Sequence, residues 1–145
     1  MSPESERLLR AGDLDGLLAQ LEEEQHARVA AIGDVSNGAI LSNNSGTRWV
    51  FLLPDMTTPG KWRLQRFDAN GFSGHMIFNS QEELVAEAAR EDFITHDPTA
   101  LDRLQCSPSF QRGNFLTDLV GQVNAGDLSH AEADRLLAEY DAQPA

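Results

Sequence analysis

Apolar residues recur in three rhythms along this chain. From Ser2 to Glu24 the spacing is helical. Ser2 suits a helix cap, Pro3 the first helical position, and Glu4 and Glu6 the positive end of the dipole. Gly12 breaks that helix. Asp13 opens a second, "LDGLLAQLEEE", whose Leu14, Leu17, Leu18 and Leu21 are expected to face inward. Glu22, Glu23 and Glu24 are expected at its frayed, solvated end, where negative charge opposes the dipole.

From His26 to Phe78 the apolar runs shorten. "ARVAAIG" and "GAILS" are separated by "DVSN", and Asn37-Gly38 is a turn signal. "TRWVFLL" is almost continuously apolar and predicts a strand covered on both faces. After the loop "PDMTTPG", the run "KWRLQRF" alternates, sending Trp62 and Leu64 to one face and Arg63 and Gln65 to the other. Phe67 falls out of phase, which predicts a bulge or strand end near Gln65–Arg66. "DANG" reads as a turn closing on a left-handed Gly71. "FSGHMIF" is a last strand with Met76 and Phe78 on one face. Together these predict an antiparallel meander of three to five strands.

Helical spacing returns after Phe78. Ser80 and Glu83 make a capping box ahead of "QEELVAEAARED", with Leu84, Val85, Ala88 and Ala89 inward. Asp97-Pro98 and Ser107-Pro108 start further helices, with Asp97 the cap of the first and Gly113 a break in the second. Ser129 and Glu132 make another capping box. "AGDL" occurs at 11–14 and again at 125–128, each time between helical stretches. The flanks differ, so the identity reads as shared linker chemistry rather than a repeat.

The predicted fold is therefore α+β, one domain over 1–145. It has an N-terminal helical hairpin (1–25), a central antiparallel sheet (26–78) and three to four C-terminal helices (79–142). The expected core is Leu17, Leu21, Trp49, Phe51, Leu53, Trp62, Leu64, Phe78, Leu84, Phe115, Leu119 and Leu136.

Charge sharpens this division. The chain carries a formal charge of -12, distributed as -5 over 1–25, +2 over 26–78 and -9 over 79–145. Such a balance disfavours general nucleic-acid binding, which needs cations against phosphates. It suits a basic protein partner. Apolar content of 41% with 23% charged residues is that of a globular chain. The single cysteine, Cys106, has no intramolecular disulfide partner and suits a reducing compartment. The N-terminus lacks a signal-peptide pattern, and no apolar run approaches the roughly 20 residues of a membrane span. A cytoplasmic protein with no membrane association is expected.

No catalytic signature is present. His26, His75, His96 and His130 are dispersed. His96-Asp97 matches the dipeptide of the helical histidine-aspartate phosphohydrolases, but these need further helical ligands, and His75 falls on a strand. Cys106 precedes a helix start and lacks an adjacent histidine base. A lone cysteine is more commonly a small buried apolar residue. Neither an enzyme activity, nor a metal, nor a cofactor is expected.

Two binding readings remain. The run "TRWVFLL" followed by "GKWRLQRFDANGFSGHMIFNSQEELVAEAARED" resembles the three-stranded sheet plus helix of the small DNA-binding domains at phage integrase N-termini. That resemblance implies a DNA-associated accessory protein whose 47–78 sheet enters the major groove, with Arg48, Lys61, Arg63 and Arg66 on its outer face. Against it, strand 49–53 looks buried on both faces, and the following helix carries Glu82, Glu83, Glu87, Glu91 and Asp92, which repel phosphates. The leading reading is a small acidic, non-enzymatic binding or inhibitory protein acting on a basic protein. Immunity proteins and mobile-element inhibitors act this way, presenting carboxylates where phosphate would sit. Its candidate contacts are Glu22, Glu23 and Glu24, or Glu82, Glu83, Glu87 and Glu91. Under that reading Lys61, Arg63 and Arg66 pair with carboxylates of the adjoining helices, tying sheet to helix.

Overall fold

Five strands form one antiparallel sheet at the centre of the computed structural model, which describes residues 1–144. Ala145, the last residue of the expected domain, lies outside them. The elements are α1 (Pro3–Arg10), α2 (Leu14–Ile32), β1 (Ala39–Ser42), β2 (Arg48–Pro54), β3 (Trp62–Asp68), β4 (Gly71–Phe78), α3 (Gln81–Arg90), β5 (Thr95–His96), α4 (Ala100–Gln105), α5 (Pro108–Asn124) and α6 (His130–Asp141). The strand order is β4-β3-β2-β1-β5. The α+β class and the helix–sheet–helix succession are as the sequence predicts.

Caps set most helix starts. The side chains of Ser2, Asp13, Ser80, Ser107 and Ser129 each accept a backbone N–H of the first turn, each cap being worth about 1 kcal/mol. Both "AGDL" segments are linkers, with Gly12 and Gly126 at positive φ. Only the first aspartate caps a helix; Ser129 does so after the second.

The sheet is packed on both faces because β2 is apolar throughout. Val50 and Leu52 join Leu41, Leu64 and the inward residues of α2 and α3, including Ile32, Leu84 and Ala88. Trp49 faces the other way, with Phe67, Ala100 of α4 and Phe110 of α5. Of the expected core, Leu17, Trp49, Leu64, Leu84 and Leu119 are buried. Leu21, Phe51, Leu53, Trp62, Phe78, Phe115 and Leu136 are half-buried.

Several expectations are corrected. The helix expected to end near residue 25 runs on to Ile32, because Ala27, Ala30 and Ala31 favour helix and Val29 and Ile32 fall on its packed side. It stops at Gly33, whose φ of 72° ends the turn. Glu22, Glu23 and Glu24 are therefore mid-helix, and "ARVAAIG" is no strand. Leu14 and Leu18 are 63% and 66% exposed, since α1 has only 8 residues and covers one side of α2. Phe67 is in phase: β3 pairs with β2 without a break, Phe67 opposite Trp49 and Arg66 opposite Val50. The expected bulge does fall at Gln65–Phe67, in the β3–β4 ladder, with the extra residue on β4: four residues (Phe72 to His75) stand against three of β3 (Gln65 to Phe67). Thr95–His96 adds a short edge strand that the sequence does not signal. The cap position of α4 is Thr99, not Asp97. Helix α5 passes through Gly113 unbroken.

Candidate functional site

The cations of the central sheet do not gather on one surface. Arg66 points to the α3 side of β3. Its Nη1 and Nη2 donate to Glu91 Oε1 and Oε2 at 2.7 and 2.8 Å, at the end of α3. Both side chains are 30% exposed, so the bidentate pair is worth about 1 kcal/mol after screening. Arg63 has the opposite parity. It donates to Gln65 Oε1 at 2.9 Å and lies 3.9 Å from the buried carboxylate of Asp55. Lys61 Nζ donates to Asn79 Oδ1. Arg48 shares the parity of Val50 and has no carboxylate within 4.0 Å among the described residues. Thus one of the sheet cations ties sheet to helix, as expected of the group, while Arg63 and Lys61 find loop partners.

The acidic candidates divide in the same way. Glu24 accepts from the Ser2 hydroxyl, from Ser5 Oγ at 3.1 Å and from Gln20 Nε2 at 3.3 Å, clasping α1 to α2. The Ser2 hydroxyl, followed by Gln20, holds its carboxyl below the usual range. Glu83 reaches past the Ser80 cap and accepts from the Asn79 N–H at 3.1 Å. Glu87 pairs with Arg90 on the next turn. Glu91 is taken by Arg66. Glu22, Glu23 and Glu82 are exposed and have no hydrogen-bond or ion-pair partner among the described residues.

The His96-Asp97 dipeptide is split across the sheet. His96 Nε2 lies 2.8 Å from the Ile32 carbonyl, on the α2 side. Asp97 accepts from Trp49 Nε1 at 3.0 Å and, through both oxygens, from Arg103 at 2.9 and 2.7 Å. Arg103 first, then the indole, lower its carboxyl from the usual value. Among the described residues, no three His, Cys, Asp or Glu side chains stand together as a metal-ligand set. Cys106 is exposed at the end of α4 rather than buried.

The Arg66–Glu91 pair gives the acid behaviour a definite sign. Arg66 holds the Glu91 carboxyl below its ordinary 4.5. The pair's contribution is complete above that unfolded value and disappears as pH falls through the lower folded one. Glu91→Gln is expected to lose about 1 kcal/mol at pH 7 and progressively less as pH falls below 4.5. Thermal melts of both proteins from pH 7 downward check this. A gap that does not narrow as pH falls contradicts it.

One open concavity lies on the sheet itself. Phe51, Leu53, Phe72 and the half-buried Arg63 line a groove of about 310 Å³ beside the exposed Met56. The α4–α5 layer leaves this end of the face uncovered. A second groove lies between α5 and α6. Of the apolar residues lining the two grooves, Phe51, Leu53 and Leu119 belong to the expected core, and nothing in the sequence marks either groove as a surface. No helix among the described residues is long and apolar enough to cross a membrane. Comparison with known protein families, with curated proteins and with solved structures finds no match.

Proposed function

We propose that this chain is a small acidic, non-enzymatic binding or inhibitory protein of the cytoplasm, acting on a basic protein partner by charge complementarity. One observation carries the reading: most of the positive charge is matched by carboxylates of the same chain. Eight of its eleven lysines and arginines sit in ion pairs with its own carboxylates. Each of these eight pairs uses a different acid, so fifteen of the 23 acidic residues have no cation partner among the described residues. Arg48, Lys61 and Arg135 have no carboxylate within 4.0 Å among the described residues, and they stand apart, on β2, just before β3 and on α6. A field of one sign raises association rates with an oppositely charged partner by ~10–10³.

Nothing in the geometry favours the DNA-associated alternative. Its four cations point to different sides of the sheet, and α4 and α5 cover much of the face that would meet a groove.

The test is capture from a lysate of the source cells on the immobilised protein, beside the variant Glu22→Lys/Glu23→Lys/Glu82→Lys. These positions are exposed and unpaired, so the variant folds. The wild type is expected to retain a protein of high isoelectric point, released by salt, and the variant to retain it about tenfold less. Equal retention by both, or retention of nucleic acid in its place, overturns the proposal.

A further inference from the structure

The C-terminal hairpin is the least enclosed part of the molecule. Helix α6 has no buried residue. It lies antiparallel on α5, pinned at one end by Arg112–Asp141 (2.8 Å) and by Phe115 stacked on Tyr140 with ring centroids 4.4 Å apart. Toward the other end the helices leave a groove of about 150 Å³. Leu116, Leu119, Val120 and Val123 of α5 line it, with Ala133 and Leu137 of α6 opposite. Leu119 is its buried floor, whereas Leu116 is 38% and Val120 51% exposed. Positions 116, 120 and 123 follow the i, i+4, i+7 spacing of a helix seam, and no element of the described chain covers them.

The size of the groove and the negative charge of the hairpin that carries it select its occupant. Ligand pockets for drug-sized molecules run to ~300 Å³ and above. A slot of half that volume suits a row of a few side chains from a packed helix. Asp134 lines the slot beside His130, and Asp127 stands in the α5–α6 linker, while Asp118, Glu132 and Glu139 lie on the outer faces of the two helices; none of these five acids has an ion-pair partner among the described residues. The only cations on the hairpin are Arg112, already paired with Asp141, and Arg135. A second copy of this chain would bring the same acids, and a further charge of -12, against this hairpin.

We infer that the α5–α6 groove seats a basic amphipathic helix of another protein, its apolar residues in the slot and its lysines and arginines toward Asp134 and the net-negative surface of the hairpin. This rests, for the identity of the partner, on the charge reading above. The two contributions differ in kind. The overall field speeds encounter, whereas the groove holds the complex together.

The probe is a fluorescent synthetic peptide of about twenty residues, with leucines at i, i+3, i+4 and i+7 and lysines elsewhere. It is titrated against the whole chain and followed by anisotropy and stopped flow. Micromolar binding is expected. Leu116→Lys and Val120→Lys, both at exposed positions, are each expected to weaken it about tenfold or more through faster dissociation. Glu22→Lys/Glu23→Lys/Glu82→Lys is expected to slow association and leave dissociation unchanged. A scrambled peptide of the same composition binding equally well overturns the inference, as does unchanged binding by Val120→Lys. So does a wild-type dimer, seen by sedimentation and dispersed by Val120→Lys, because the seat then belongs to a second copy. In the lysate experiment, a basic protein retained equally by wild type and Val120→Lys overturns the seat and leaves the charge reading standing. If neither retains any basic protein, the charge reading fails, and with it the partner assigned to the seat.

Discussion

Replacing Gly113 by alanine is expected to unseat α5 from the sheet. A Cβ at this position would lie 1.4 Å from the Asn70 carbonyl oxygen and 2.5 Å from its carbon, both backbone atoms. The turn cannot simply yield. Asn70 N–H is held by Asp68 Oδ1 at 2.8 Å, Gly71 sits at a φ of 110°, and Phe72 N–H is held by Asn114 Oδ1 at 2.8 Å. Glycine to alanine inside a helix ordinarily gains about 1 kcal/mol. Here the clash reverses the sign, and a net loss of about 3 kcal/mol is expected. Gly121, two turns along the same helix, faces open space. Gly121→Ala is expected to gain about 0.5–1 kcal/mol. Urea unfolding of the two variants separates close approach from helix propensity, and shifts in the same direction would contradict the account.

Phe67→Ala is expected to lose about 3–5 kcal/mol, the range for deleting a buried aromatic side chain. Phe67 is 1% exposed. It stacks on Trp49 at 5.9 Å between ring centroids and meets the edge of Phe72 at 5.8 Å. Phe72 in turn meets Phe110 of α5 at 5.5 Å. This aromatic chain runs from the sheet to α5, so its loss also loosens the layer that carries the α5–α6 groove. The loss is a large share of the ~5–15 kcal/mol that holds a domain of this kind folded. Denaturant unfolding measures it, and limited proteolysis is expected to cut first between α4 and α6. A loss below about 1 kcal/mol would show that the second core is dispensable.

The parts of this structure that read directly from sequence are those fixed by neighbouring residues. Serine caps at 2, 80, 107 and 129 announce their helices because the side chain and the N–H that it accepts are within three residues. The turn at 68–71 announces the β3–β4 hairpin through Gly71. Where tertiary contacts decide, the pattern is silent or misleading. "ARVAAI" has the same apolar density as a strand, and only packing of Val29 and Ile32 beside α3 settles it as helix. Phe67 looks out of phase because alternation presumes one buried face, whereas β3 is packed on both. Thr95–His96 is a strand only because β1 offers it an edge. The charges show the same limit. Arg66 is recognisable as a cation in a strand, but its pairing with Glu91, 25 residues on, depends on how α3 crosses the sheet. Likewise, a helical period marks Leu116 and Val120 as apolar and says nothing of whether anything covers them.

Most cations of this molecule face its own acids, and most of its remaining carboxylates are exposed. The most direct test of a partner drawn by that charge is a salt titration of the association between the purified protein and the basic protein it retains. The affinity is predicted to fall steeply as salt rises, and less steeply for Glu22→Lys/Glu23→Lys/Glu82→Lys, which presents fewer acids to the partner. An affinity independent of salt, or a salt dependence identical in the two proteins, would contradict it.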